Sequence, residues 1–327
     1  KRNKAMKISV RMEGGIGDHL AANRFIPAIK EVNPNCTIDL YSDTEGSELQ
    51  SNLLKNLWPS HFDNVHVIKT KKYKKLIAES TIKDNPSKTL KEEQPGILQN
   101  VPEEILNKMT NQYDKFYDLH IDSLNWLDQD FPWFKYFQFF PRPEVLPKPD
   151  INLPDEFILG YFFARDGASS NMEDWYIDQI INKISKQLPL VVLYNQDSEP
   201  AYRKLIDKGV DNCTFVNASL EEIFYISSKC LAAFGIDSGV RFIPYHFGKP
   251  TFTFCEYCSQ YGSVPYSHII RWLYNEKFVF PLHFDMRTVI TIVKNIISNK
   301  AYMLFPHTLS DIGKYAVQRE ISKLITE

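Results

Sequence analysis

No uninterrupted apolar stretch of this 327-residue chain approaches the roughly 20 residues that a membrane-crossing helix needs. No secretory leader is visible either, so the expected location is cytoplasmic, with at most peripheral membrane contact. Charge of one sign is missing too: 38 Lys and Arg stand against 40 Asp and Glu, a net charge of −2. That balance gives no bulk electrostatic drive toward nucleic acid. Five cysteines (Cys36, Cys213, Cys230, Cys255 and Cys258) are an odd, scattered set that reads as reduced thiols rather than a disulfide framework. Cys255 and Cys258 spell C-x-x-C, but no second pair follows at zinc-ribbon spacing and the motif comes after a strand. No metal and no redox centre is therefore expected, and no repeat of solenoid period is present.

What the chain has is the composition of an ordinary soluble globular protein, 43% hydrophobic and 24% charged, at a length that suits two domains. Its most informative stretch runs from Phe234 to Phe254. A buried strand leads into a tight Asp237-Ser238-Gly239 turn, a short helix, a Gly248-Lys249-Pro250 stop and a second buried strand. Such a turn leaves backbone N–H groups free at a helix N-terminus, where the helix dipole favours an anion such as phosphate. A second unit of this kind lies near the start: a strand over 8–12, a glycine-rich turn over Glu13-Gly14-Gly15-Ile16-Gly17-Asp18-His19, and a helix from Leu20 to Val32. One such unit in each half predicts an α/β protein of two Rossmann-like, doubly wound domains facing a central cleft.

Further strands are expected at 37–41, 65–68 and 116–121 in the first half, and at 157–163, 190–194, 213–216, 231–235 and 251–254 in the second. Helices fit 175–187, 199–208, 220–228, 286–299 and 312–325. The polar, lysine-rich stretch 69–99 reads as an excursion, and its lysines 69, 71, 72, 74 and 75 either attract an anionic ligand or form a solvated face. Aromatic residues crowd 126–140, a pattern of core or interface packing. Prolines 143, 147, 149 and 154 mark an interdomain linker. The expected domains are 1–150 and 151–285, each Rossmann-like, and 286–327 as terminal helices that cross back toward the first domain.

Taken together, Gly-Gly-Ile-Gly-Asp at 14–18, Asp-Ser-Gly at 237–239 and Gly-Lys-Pro at 248–250 resemble the family 9 glycosyltransferases, the lipopolysaccharide heptosyltransferases and their relatives. The resemblance spans both halves in order. It implies the GT-B fold and an inverting, metal-independent transfer of a sugar, typically a heptose, from a nucleoside-diphosphate sugar to a saccharide or glycolipid acceptor. Asp18 then matches the family's catalytic base, and Asp237, Ser238 and Gly239 match its donor-phosphate turn. Glu199 falls near the acid that holds the donor ribose. Two departures stand out: Glu173 and Asp174 precede Trp175 where the family carries a lysine, and Arg241-Phe242 stand where it carries a histidine. Arg165 and Arg241 are candidates to replace the lost positive charge on the donor diphosphate. Gly15, Gly17 and His19 are the candidates on the acceptor side, with no cofactor besides the donor substrate.

Plainer roles exist for several of these residues. Asp18 at a helix start suits capping as well as catalysis, and the same holds for Asp237 and Ser238. His19 is either a packing histidine or an acceptor ligand, and Arg165 either a diphosphate ligand or a solvated loop residue. A rival enzyme class is an NAD(P)-dependent oxidoreductase, since Gly15-Ile16-Gly17 followed by Asp39 at the end of the second strand imitates a dinucleotide fingerprint; Leu20 replaces its third glycine. A metal-dependent transferase would need Asp128-Gln129-Asp130 at a strand end, which its aromatic surroundings disfavour. A catalytically degenerate sugar-nucleotide-binding protein is the non-enzyme alternative.

Overall fold

The computed structural model describes residues 5–43, 48–68, 101–121, 129–136, 139–162, 174–195, 199–236, 238–255 and 278–281. The chain divides into two compact units, Lys1–Val145 and Leu146–Glu327. The expected loop at 69–99 and the expected helices at 286–299 and 312–325 lie outside the described residues.

The first unit is built on four parallel strands, β1 (Lys7–Glu13), β2 (Thr37–Asp43), β3 (Asn64–Ile68) and β4 (Lys115–Asp118), in the order β3-β2-β1-β4. β1 is central and buried at five successive positions, as a parallel strand covered on both faces must be. The expected single helix at 20–32 is two: α1 (Ile16–Asn23) and α2 (Ile26–Val32). Pro27 causes the break. It has no N–H to donate, its ring clashes with the carbonyl four residues back, and the second residue of a new helix is a position it tolerates.

Two further helices, α3 (Leu49–Leu57) and α4 (Glu103–Asn111), complete the described part of the unit. Phe131 confirms the packing reading of the aromatic segment. It is buried between Phe25 and Tyr117, with both ring centroids 5.6 Å away. The start of the proline-rich stretch is held to this unit. Trp58 Nε1 donates to the Arg142 carbonyl at 3.0 Å and Glu144 N–H to the Leu57 carbonyl at 2.8 Å.

The second unit holds six parallel strands, β5 (Ile158–Tyr161), β6 (Leu190–Tyr194), β7 (Cys213–Asn217), β8 (Ala232–Ile236), β9 (Thr251–Cys255) and β10 (Phe278–Pro281), in the order β10-β9-β8-β5-β6-β7. Read from the β7 edge this is the doubly wound order of a dinucleotide-binding domain. α5 (Asp174–Ile184), α6 (Glu199–Lys208) and α7 (Leu220–Lys229) make the crossovers. Ile177, Ile180, Ile181 and Ile184 recur at helical spacing on α5 and pack with Ile158, Leu190, Val192 and Phe234 of the strands. Ser219 and Glu222 close a reciprocal capping box on α7, at 2.8 and 3.3 Å. The element after β8 is a 3₁₀ helix, Gly239–Phe247, with Pro244 inside it; it stops at Gly248, whose φ of 67° is left-handed.

β5 and β8 touch through an occupied glycine. A Cβ at Gly235 would lie 2.0 Å from Tyr161 Cδ2 and 2.1 Å from the Tyr161 carbonyl oxygen. Gly235→Ala is expected to lower unfolding stability by about 2–3 kcal/mol through overpacking, read as a reduced urea midpoint. An unchanged midpoint would show that the two strands do not meet this closely.

Candidate active site

In both sheets the strand order reverses beside the first strand, between β1 and β4 and between β5 and β8. The C-terminal edge at such a reversal is where doubly wound sheets bind ligands. The glycine bend of the first unit sits there. β1 ends at Glu13, and Gly14 turns the chain with a φ of 99°, a conformation that L side chains avoid. A Cβ on it would also lie 2.5 Å from Asp18 Oδ2. Gly14 is therefore the indispensable glycine of the bend, whereas Gly15 precedes α1 as its N-cap and Gly17 lies buried inside that helix. Asp18 is the third residue of α1 and its Oδ2 accepts the Gly15 N–H at 2.7 Å. The carboxylate thus lies over the bend, at the positive end of the helix.

His19 is wholly buried. Its Nδ1 donates to the Gly15 carbonyl at 3.0 Å and its Nε2 accepts from Ser42 Oγ at 2.8 Å, which bolts α1 to β2. Burial pushes its pKa down to about 4. Both nitrogens are taken, so His19 has the geometry of a packing histidine.

A charged group that the sequence reading did not single out lies beside the bend. Arg11 on β1 is fully buried and pairs with Glu13 through Nη2; the same nitrogen is 3.7 Å from Asp43 Oδ2, and Nη1 is 3.3 Å from Asp118 Oδ1. His120 Nδ1 lies 3.8 Å from Glu13 Oε2, and its backbone N–H donates to Asp118 Oδ1 at 3.2 Å. Burial raises the Glu13 pKa to about 7; the Arg11 charge opposes this, and Asp43 and Asp118 add to it. Burial, reinforced by the Arg11 charge, holds the His120 pKa below its ordinary range.

Asp39, the acid of the dinucleotide fingerprint, is not at the end of β2. The strand runs on to Asp43, and the Asp39 carboxylate accepts from Tyr113 Oη at 2.7 Å and Asn64 Nδ2 at 2.9 Å. Asp43, which does hold the strand end, faces Arg11. Of the Asp-x-Asp, Asp128 lies outside the described residues, while Asp130 pairs with Lys115 Nζ at 2.7 Å and accepts from Tyr117 Oη at 2.8 Å. Among the described residues no group of three or more His, Cys, Asp or Glu is arranged to hold a metal.

In the second unit Ser238 and Gly239 follow β8 and open the 3₁₀ helix. The first N–H groups of a helix have no acceptor within it, and Ser238 Oγ has no hydrogen-bond partner among the described residues. Arg241 is buried, with its guanidinium carbon 4.1 Å from the Phe242 ring centroid. Glu199 is the first residue of α6, on the connection that leaves the C-terminal end of β6, and pairs with Arg203 one turn on. Arg165, Asp237, the lysines at 69–75 and Cys258 lie outside the described residues.

The buried groups make stability depend on pH. His19 and His61, the latter buried just past α3 with Nδ1 2.8 Å from Asn23 Oδ1 of α1, are both held neutral to about pH 4, and with His120, shifted the same way, they take up protons on unfolding below pH 6.5. Stability is therefore lost as pH falls through that window, at about 1.4 kcal/mol per pH unit for each proton. Glu13 works the other way: it holds a proton when folded up to about pH 7, so its contribution falls as pH rises from 4.5. Three groups outweigh one, and the urea midpoint is expected to drop between pH 6.5 and 4.5, less steeply in His61→Gln. A flat profile would show that these imidazoles are open to water.

No family model and no curated protein matches the chain. Solved structures do resemble it. The E. coli ADP-heptose LPS heptosyltransferase II gives a TM-score of 0.58 at 12% identity, over 90% of this chain and 99% of that one. An E. coli heptosyltransferase with ADP gives 0.56 at 9% identity, over 89% and 100%. A family 9 glycosyl transferase from Veillonella parvula gives 0.52 at 11% identity, over 98% of each chain. The fold implied by the glycine and Asp-Ser-Gly motifs is thus the fold observed: two parallel, doubly wound α/β units of the GT-B kind.

Proposed function

We propose that this chain is an inverting glycosyltransferase that moves a sugar from a nucleoside-diphosphate sugar to a saccharide or glycolipid acceptor, without a metal cofactor. The observation that carries the reading is the presence of a strand-reversal edge in each unit of one chain of GT-B fold, the first bearing Asp18 over a glycine bend and the second a Ser238-Gly239 turn. Heptose is the donor sugar this reading favours, because the similar structures are heptosyltransferases by name. No helix among the described residues is long and apolar enough to cross a membrane, in keeping with a cytoplasmic enzyme that meets any glycolipid at the membrane surface.

In the proposed reaction the Asp18 carboxylate takes the proton of the acceptor hydroxyl while that oxygen attacks the anomeric carbon. The bond from that carbon to the diphosphate breaks, and the nucleoside diphosphate leaves with the electron pair. Attack from the opposite face inverts the centre. Backbone N–H groups at Ser238 and Gly239, together with Asp237 of the same motif and with Arg165 and Arg241 supplying charge, would stabilise the leaving diphosphate; Glu199 would hold the ribose. Gly15 and Gly17 are the small residues proposed on the acceptor side. Transfer is favoured over hydride chemistry because Asp39 is tied up in mid-strand. The packing of Arg241 on Phe242 favours the second reading, a binding protein that has lost turnover.

Thermal shift separates these readings, because a ligand that binds only the folded chain raises its midpoint. Nucleoside diphosphates are expected to raise it and NAD(P) to leave it unchanged; the reverse result ends the transferase proposal. Asp18→Asn is expected to cut transfer by at least about a hundredfold, the range of general-base removal, with diphosphate binding kept. Full activity in that variant would exclude Asp18 as the base, and diphosphate binding without turnover on any acceptor would favour the degenerate binder.

A further inference from the structure

The transfer proposed above needs an acceptor, and the C-terminal edge of the first sheet carries a charge that selects among acceptors. Arg11 is fully buried there, with both terminal nitrogens turned to carboxylates: Nη2 to Glu13 and Asp43, Nη1 to Asp118. One cation among three carboxylates leaves the edge negative whether or not Glu13 holds a proton. His120 and His19, the titratable groups facing it from beyond β4 and from α1, are kept neutral by burial. Asp18 adds a further carboxylate over Gly14.

Glu13 is the member of this group best placed to meet a ligand. It ends β1 at the foot of the glycine bend, and its side chain is 12% exposed, against 6% for Asp43 and 4% for Asp118. The wholly buried Arg11 Nε–H has no acceptor among the described residues, which leaves one donor of the group for a bridging water.

We propose that this edge takes an uncharged, polyhydroxylated saccharide and rejects phosphorylated or carboxylated ones, with Glu13 as the specificity-determining residue; the inference rests on the transferase reading. A carboxyl group meets sugar hydroxyls as acceptor in either protonation state and as donor when protonated. A phosphate or carboxylate at the same place meets like charge beside the largely buried Glu13 carboxyl and has no cation to claim, because Arg11 is already shared. Glu13 ionises near pH 7, so rejection of anions steepens as pH rises through neutrality.

The test uses the full chain on an array of saccharides in matched neutral, 6-phosphate and uronate forms, at pH 6 and pH 8. Retention of neutral forms is expected to exceed that of their anionic partners by at least about tenfold at pH 8, a lower bound for one like-charge contact. The gap should narrow at pH 6, and Glu13→Gln at pH 8 should show the same narrowing. The pH comparison on the unaltered chain stands even if that variant folds poorly. Equal or stronger retention of anionic forms overturns the proposal and returns acceptor recognition to the lysines at 69–75. Discrimination that ignores both pH and Glu13→Gln overturns it as well, as does retention of no saccharide. Nucleoside diphosphate binding, measured separately on the same protein, reports on the transferase reading alone: its loss with the neutral preference intact removes transfer and leaves saccharide recognition standing.

Discussion

One buried guanidinium organises the edge of the first sheet where the candidate chemistry lies. The register of the strands sets Glu13 directly opposite Asp43 and Arg11 directly opposite Asp118. Without Arg11, the first of these pairs would place like charges side by side on neighbouring strands, which destabilises a sheet. With it, three neighbouring strands end on a common electrostatic partner. Removing one member of a buried ion pair costs about 3–5 kcal/mol, because the remaining charge is left uncompensated. The arrangement thus fixes strand ends and, through the Gly14 N–H bond to the Asp43 carbonyl at 3.2 Å, the position of the bend that carries Asp18.

Most of the fold was legible in the sequence because parallel strands buried on both faces read as short apolar runs. β1, β2, β3, β6, β7 and β9 lie within one or two residues of the runs that announce them. The break between α1 and α2 was legible only through Pro27, since the apolar spacing of Leu20, Ile26 and Ile29 continues across it. β4 stops at Asp118 although apolar character runs on to Ile121, and the chain keeps one more bond to β1, from Leu119 N–H to the Arg11 carbonyl at 2.9 Å. β10 was not foreseen.

The charged group was illegible for a different reason. Arg11 and Glu13 look like the polar half of an alternating strand, and nothing local says that their face is buried. Their partners are remote in sequence, Asp118 lying 107 residues from Arg11, so only the pairing of β1 with β2 and β4 reveals them. Asp39 was misleading in the opposite sense: a suitable acid at a suitable distance, but placed in mid-strand once β2 extends to Asp43. His19 reads as a reactive neighbour of Asp18 until burial and Ser42 occupy it.

The glycines carry the same lesson further. The bend in the first unit depends on Gly14, because the Asp18 carboxylate fills the space where a Cβ would stand and because φ is positive there. In the second unit the strand leading to the Ser238 turn depends on Gly235, whose missing Cβ is replaced by Tyr161 of β5. In each case the essential glycine lets a neighbouring side chain close onto the backbone next to the strand reversal. Gly15, Gly17 and Gly239 stand out in the written motif, yet none of them has a positive φ. The two edges therefore share a constructional principle while differing in chemistry: the first is locked by charge and left acidic, the second is locked by an aromatic ring and left with a turn whose donors can face an anion. In the proposed transfer the first edge would take the proton of a hydroxyl and the second would receive the phosphate, a division that matches which side chain each glycine admits.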